Sequence, residues 1–483
     1  MFSKTPLCNV GHNLKPIGFS TSASFLNALM FLTRGNVMLQ KSQRTHKPDA
    51  PRRRPVLETT GEVFSDGTLL ELASDASSAD KLGLLCWDGK EAKAQDRVEL
   101  ADRTYVPFPV NASTLRAIRF PNQTRDYGST SILFGKLVDL LDRYFVLPER
   151  DLILVALWVL TTWFPDVLPM APTLVISGPS PAYVSCFLRL LKCICRRGIR
   201  LAELNPAGLC ALPMRLQPTL LVEQTALTRS MRGLFRASSS RGVYITRSGD
   251  FLDLHCAQAL FSAENGLDAA VNESTLHVAV VPAASGSASL NERAEDEIAA
   301  ELQPMLLGYR LRNHRAVSES TFDLPEFTPG LRELAHSLGA AIVGDAELAG
   351  RIPSLLAPQD ADARARRSVL PEGAILTVAL ALIHEGKLKK MLTGALTPLV
   401  NAALRAKGEV VEFSPEEVGW RLSRLGLYTH RMAGGNGIRF DREFSRAVHN
   451  LARRFGVEIS PTGSPECPDC QEAAKITDPK GVA

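Results

Sequence analysis

Apolar residues recur at helical spacing from Tyr127 onward. Leu133, Leu137, Leu140, Leu141 and Tyr144 mark one face of a helix, and a second helix follows from Pro148. The most apolar run, Leu152 to Leu160 and on to Trp163, is too short to span a bilayer and stops at Phe164-Pro165-Asp166, which predicts a buried helix. β-like runs then come at 173–177, 219–223, 242–246 and 277–281, and strands separated by helical stretches imply a layered α/β sheet. Upstream, residues 56–125 alternate short apolar runs with polar turns, the pattern of a small β-rich unit. Downstream, Glu292 to Gln303 reads as a helix that Pro304 should stop. Thr328 reads as the N-cap of a helix to Leu338, with Pro329 at its first position. Residues 359–368 are charged and rich in Ala and Arg, marking a boundary after a helical connector.

The last pattern is the most regular. Ser414-Pro415-Glu416-Glu417 is a capping box with Pro at the first helical position, and Val418, Leu422 and Leu425 make one apolar face before Gly426 ends the helix. Tyr428-Thr429-His430-Arg431, a Gly434-Gly435-Asn436-Gly437 turn and Ile438-Arg439-Phe440 read as a hairpin. Phe444, Val448, Leu451 and Phe455 stripe a closing helix. With helices from Leu376 to Ile383 and Leu392 to Leu404 before it, this order predicts a winged helix-turn-helix. The chain thus divides into a disordered basic segment (1–55), a β-rich unit (56–125), an α/β domain (126–311), a helical connector (312–370), the winged helix (371–458) and a disordered tail (459–483).

Composition adds limits rather than a function. The chain has 483 residues, 45% of them hydrophobic, and a net charge of +4, nearly neutral for this length, so any nucleic-acid contact must come from a local patch. Between Phe413 and Phe455 there are eight Arg, no Lys and four acidic residues. Arg421 and Arg424 are expected to project from the recognition helix and Arg431 and Arg439 to flank the wing, a distribution suited to double-stranded DNA. A solvated or protein-binding basic face is the competing reading. Nine cysteines without small-scaffold spacing, with Cys186, Cys193, Cys195 and Cys210 among apolar neighbours, fit a reducing cytoplasm, and the shortness of the 152–163 run leads to the expectation of no membrane partner. Residues 1–48 hold no Asp or Glu, a composition of disordered, targeting or mis-started segments. Cys467-Pro468-Asp469-Cys470 is half of a zinc site, but no second pair lies near it in sequence, so an exposed tail is expected and no metal. His384-Glu385 is not a metalloprotease motif, because Leu388 stands where its second His belongs.

Thr173 to Cys186 has the outline of a strand and phosphate loop without its chemistry. A working loop, G-x-x-x-x-G-K-S/T, needs glycines to curl the backbone around phosphates, a Lys for their charge and a hydroxyl for Mg²⁺. Gly178 and Ser185 fit. Tyr183 replaces the second Gly, Val184 replaces the Lys, and Pro181 removes an N–H. Lys192, two turns into the next helix, is too far along the axis to substitute. The strand Thr219-Leu220-Leu221-Val222 ends in Glu223-Gln224, where a Walker B strand would place two carboxylates; Gln224 cannot activate water.

Phe120-Pro121, Tyr127-Gly128-Ser129-Thr130, Cys195-Arg196-Arg197, Leu201-Ala202-Glu203 and Pro218-Thr219-Leu220-Leu221 together resemble bacterial primase/helicase-like P-loop ATPases that end in a winged helix, over about residues 105–458. The resemblance implies a P-loop NTPase-like sheet of RecA/AAA type. It places the family's Lys at Val184, its Thr at Ser185, its Asp at Glu223 and its Glu at Gln224, and its late Arg near Asn272-Glu273-Ser274, where none stands. The expected function is therefore a non-catalytic, P-loop-fold DNA-binding protein with no catalytic residue and no cofactor, Gly178, Ser185 and Glu223 being a vestigial nucleotide and Mg²⁺ site. The alternatives are a weakly active ATPase using ATP and Mg²⁺ through a non-standard loop or a neighbouring subunit's Lys, which leaves room for a homo-oligomer, and a decayed, non-functional copy.

Overall fold

The computed structural model describes residues 54–75, 78–100, 102–224, 227–247, 249–261, 274–282, 290–457 and 467–470. The expected basic segment up to residue 53, and the tail apart from 467–470, lie outside the described residues. Seven short strands come first: β1 (Val56–Thr59), β2 (Gly61–Val63), β3 (Leu69–Asp75), β4 (Ser78–Trp87), β5 (Ala92–Gln95), β6 (Val98–Leu100) and β7 (Arg103–Pro107). They form two sheets, ordered β1-β7-β6 and β2-β3-β4-β5. Arg54 already belongs to this unit, pairing with Glu99 at 2.9 Å. β3 is covered on both faces: Leu70 and Leu72 pack with Leu84, Tyr105 and Ile199, while Leu69 and Ala73 join the main core. The two-residue period of a strand therefore turns Glu71 into that main core.

Helices α1 (Ala112–Ala117), α2 (Thr130–Tyr144) and α3 (Glu149–Thr161) follow, with the two-residue strand β8 (Phe145–Val146) between the last two. As its apolar run predicts, α3 is buried from Leu152 to Thr161. The α/β domain continues with β9 (Thr173–Ser177), α4 (Pro181–Ile194), β10 (Gly198–Leu201), α5 (Pro206–Ala211), β11 (Thr219–Val222), α6 (Arg229–Ser239), β12 (Tyr244–Arg247), β13 (Asp250–Asp253), β14 (Gln258–Phe261), β15 (Thr275–Ala279) and β16 (Val281–Pro282). Five strands form a parallel sheet in the order β10-β11-β14-β9-β15. The chain leaves β9 towards one edge, works back to β14, then crosses β9 to reach β15. Ligands of such sheets bind at this reversal, at the carboxyl ends of the strands. The run at 242–246 is not in this sheet; β12 pairs only with β13, in a hairpin. Sequence patterning missed β10 and β14, in which Gly198 and Arg200, and Gln258, break up the apolar run.

Helices α7 (Glu292–Ser318), α8 (Pro329–Ala340) and α9 (Ala346–Ser368) close the core. Pro304 does not stop α7, which runs straight through it. The helix is fixed from outside: Arg125 N donates to Pro304 O at 3.0 Å, and a Cβ on Gly308 would come within 2.7 Å of Arg125 O. Residues 359–368 form the last turns of α9, which ends at Ser368, with two residues between it and the next helix at Pro371.

The C-terminal part has a core of its own, built on Leu376, Leu396, Val400, Val418, Leu422, Ile438 and Val448. Its order is α10 (Pro371–Glu385), β17 (Lys390–Leu392), α11 (Thr393–Ala406), α12 (Pro415–Arg424), β18 (His430–Met432), β19 (Gly435–Arg439) and α13 (Arg442–Arg454), with a three-stranded antiparallel sheet β17-β19-β18. The Ser414–Glu417 capping box forms in both directions. The hairpin turns earlier than its glycines suggest, at Ala433-Gly434, with Gly434 at φ +97°; Asn436 and Gly437 are in β19. Among the described residues no single helix is long and apolar enough to cross a membrane.

Glu71 ties three of these layers together. It accepts from Arg196 Nη2 at 2.7 Å, from Arg310 Nε at 2.9 Å and from Arg197 Nη2. Arg310 also grips Asp166 through both guanidinium nitrogens, at 2.7 and 2.8 Å. Burial alone would raise the Glu71 carboxyl; the guanidiniums of Arg196, Arg197 and Arg310 outweigh it and lower the pKa from 4.5 to about 2. Stability from this depressed carboxylate is present above about pH 4.5 and is lost as pH falls towards about 2. Removing one charge of a buried cluster strands the others, at a cost of roughly 3–5 kcal/mol. Glu71→Gln should therefore lower the denaturant midpoint strongly at pH 7 and flatten the acid limb of stability below pH 4.5, as measured by urea unfolding across pH; an unchanged pH 7 midpoint would contradict it.

Candidate functional site

The carboxyl end of β9 carries the segment from Gly178 to Ser185, where the sequence predicts a degenerate phosphate loop. Gly178, Pro179 and Ser180 are all that separates the strand from α4, whose first residue is Pro181. Ser180 caps the helix, its hydroxyl accepting from Ala182 N at 3.3 Å and its carbonyl from Tyr183 N at 3.1 Å. Residues expected to curl around phosphates are thus the first turn of a helix. Val184, at the lysine position, is fully buried. A Cβ on Gly178 would meet Val280 O at 3.0 Å and Val184 Cγ2 at 3.1 Å. Gly178 serves close packing where a phosphate loop would leave room.

The structure does bring Ser185 and Glu223 together, through a residue that sequence reasoning passed over. Arg200, on β10, donates from Nε to Glu223 Oε1 at 2.8 Å and from Nη2 to Ser185 Oγ at 3.0 Å. In a working site a hydroxyl and a carboxylate in these places would share Mg²⁺. Here a guanidinium bridges them, a positive charge with fixed donors held between the hydroxyl and the carboxylate. Gln224 faces elsewhere, its Oε1 accepting from Leu204 N at 2.9 Å. Lys192 sits in the last turn of α4, away from the loop. Asn272 and Glu273 lie outside the described residues.

The four C-terminal arginines do not share one environment. Arg424, Arg431 and Arg439 are exposed, Arg424 stacking over the Trp420 ring at 4.8 Å. Trp420 is 56% and Tyr428 71% exposed, and Lys387, Lys389 and Lys390 are exposed on the approach to β17. Arg421 departs from expectation. It donates to Glu372 Oε1 on α10 at 2.6 Å and lies over the Phe413 ring at 4.4 Å. The two arginines are neighbours one turn apart, and both lie over Trp420, but Glu372 and Phe413 give Arg421 alone a partly buried carboxylate and a second ring.

Cys467 and Cys470 are not on an isolated tail. Cys470 Sγ lies 3.2 Å from His384 Nε2 and 3.3 Å from His449 Nε2, and Cys467 Sγ lies 3.4 Å from His449 Nε2. His384 ends α10 and His449 is buried on α13; their Nε2 atoms are 3.1 Å apart. The pair absent from the neighbouring sequence comes from two helices. His449 could have been singled out only as a polar residue one position from the apolar stripe of α13.

No family model matches this chain, and no curated protein matches it. Among solved structures it is similar to the A form apo structure of the NrS-1 C-terminal region, at 10% identity and TM-score 0.33, covering 77% of this chain and 96% of that one. A further apo structure of that region gives TM-score 0.32 over the same shares. Drosophila ORC bound to DNA gives 13% identity and TM-score 0.17, covering 69% and 95%. Likenesses at these scores carry no functional argument, so function rests on the side chains.

The two α12 arginines give a direct check. Arg421→Ala should cost about 1–3 kcal/mol, as loss of a charged hydrogen bond that leaves Glu372 unpartnered, whereas Arg424→Ala should stay within about 0.5 kcal/mol. Equal thermal midpoints for the two variants would refute the inward placement of Arg421.

Proposed function

We propose that this chain is a non-catalytic, P-loop-fold protein that binds double-stranded DNA through a C-terminal winged helix. The observation that carries the reading is the exposed set Arg424, Arg431 and Arg439 on one helix and its following hairpin, with Trp420 and Tyr428 beside them. The order helix, strand, helix, helix, hairpin, with β19 between β17 and β18, supports a winged helix with α12 as recognition helix and β18–β19 as wing. Arg424 is placed to meet base edges or phosphates from α12. Arg431 and Arg439 on the wing reach the backbone, whose contacts position without specifying. Lys387, Lys389 and Lys390 extend the same positive surface.

The rest of the chain supports binding without turnover. The phosphate cradle is a capped helix start, the lysine position is core, and Arg200 satisfies the two groups that would hold Mg²⁺. Gln224 offers no base for water.

Two measurements on the full chain test this. Binding to duplex DNA should weaken steeply with salt, and removing Arg431 or Arg439 should reduce the salt slope by about 1 each while weakening all sequences alike; Arg424→Ala should weaken a selected site more than random DNA. No affinity at low salt would end the DNA reading. ATP hydrolysis should be absent, and turnover that disappears on Ser185→Ala would end the non-catalytic one.

A further inference from the structure

We propose that His384, His449, Cys467 and Cys470 form a structural zinc site that fastens the C-terminal segment onto α10 and α13. The proposal is independent of the DNA reading and rests on the convergence of four ligand atoms, all within 4.8 Å of one another. Zinc held tetrahedrally at about 2.05 Å from nitrogen and about 2.3 Å from sulfur places its ligands about 3.3 Å apart for two nitrogens and about 3.6 Å for a nitrogen and a sulfur. The N···N separation here is 3.1 Å, and three of the four N···S separations run from 3.2 to 3.4 Å. These four separations lie just inside the tetrahedral values, and all four ligand atoms fall within 4.8 Å of one another, so they converge on one point with room for a single ion.

The surroundings fit a ligand cluster. His449 Nδ1–H donates to Ser445 O at 2.8 Å, which leaves the Nε2 lone pair aimed at the two sulfurs and at His384. Cys470 N donates to Cys467 O at 3.1 Å, closing the C-x-x-C stretch into the tight turn that presents both thiols to one side. Ser445 Oγ donates to Asp469 Oδ2 at 2.6 Å, so the turn is docked on α13 by a residue that is not itself a ligand. Two thiolates balance the charge of Zn²⁺, and two imidazoles complete a soft tetrahedral set that suits zinc over Mg²⁺ or Ca²⁺. All four positions come from protein, so the site is closed and its role is architectural. Binding replaces two thiol protons by the metal, releasing both to solvent.

The test uses the full chain purified under reducing conditions without chelator. Elemental analysis should find one zinc per chain, and exchange into Co²⁺ should give the visible absorption of a tetrahedral thiolate site. Cys467→Ser/Cys470→Ser should lose the metal and the Co²⁺ spectrum while keeping the far-UV circular dichroism of the parent, because both residues lie outside the hydrophobic core. His449→Gln, at a buried position, is the second variant and should also lose the metal. Cys467 and Cys470 in the parent should resist alkylation until a strong chelator is added. A folded parent that takes up no zinc on loading, zinc retained by the double Ser variant, or a Cys467–Cys470 disulfide in protein kept reduced would each overturn the site.

Discussion

A carboxylate with nowhere to go but three arginines organises this molecule. Glu71 sits among Leu69, Leu70, Leu72 and Ala73 in a strand covered on both faces, so the charge cannot reach water. Its partners come from the turn before β10 and from α7, which binds the β-rich unit, the parallel sheet and the long closing helix to one point. The backbone accommodates the arrangement: Arg197 takes a left-handed φ of 50°, a conformation costing a non-glycine residue about 1 kcal/mol or more. Arg310 continues the network to Asp166, and His314, one turn further on, meets the same carboxylate at 2.8 Å. Chains of this kind hold the orientation of layers more than they add net stability, since desolvation opposes most of the attraction.

That frame carries, at the carboxyl end of β9, a closely packed turn where the sequence resemblance expects a phosphate loop. The parallel sheet still reverses direction at β9, where ligands of such sheets sit. Yet the helix begins within three residues of the strand, Val184 fills the interior and Arg200 answers the two polar groups left over. Each substitution alone would leave a hole or an unpaired charge. Together they form a satisfied, packed surface with no unanswered charge among them.

Much of this was legible beforehand because it rests on local rules. The apolar face of α2, the buried α3, the strand before Gly178 and the Ser414 capping box follow from periodicity and capping alone. What sequence could not supply came from distant partners. Pro304 should end a helix, but the close approach of Arg125 holds α7 through it. Arg421 and Arg424 are indistinguishable in sequence, and only Glu372 and Phe413 turn one inward. The two cysteines were visible as half a site. Their complement, His384 and His449, sits 65 residues apart on separate helices, where no spacing rule would pair them.

The separation of the Glu71 partners also bears on how the chain comes off the ribosome. Arg196 and Arg197 follow it by 125 and 126 residues and Arg310 by 239. At about 5–20 residues per second, synthesis delivers the last guanidinium on the order of 10–50 s after the carboxylate. Through that interval β3 cannot be sealed on its inner face, because closing it would bury an incompletely answered charge. The β-rich unit, although made before the groups that answer Glu71, is therefore locked only once α7 follows, and its inner apolar face is open to chaperones or to misassociation over that interval.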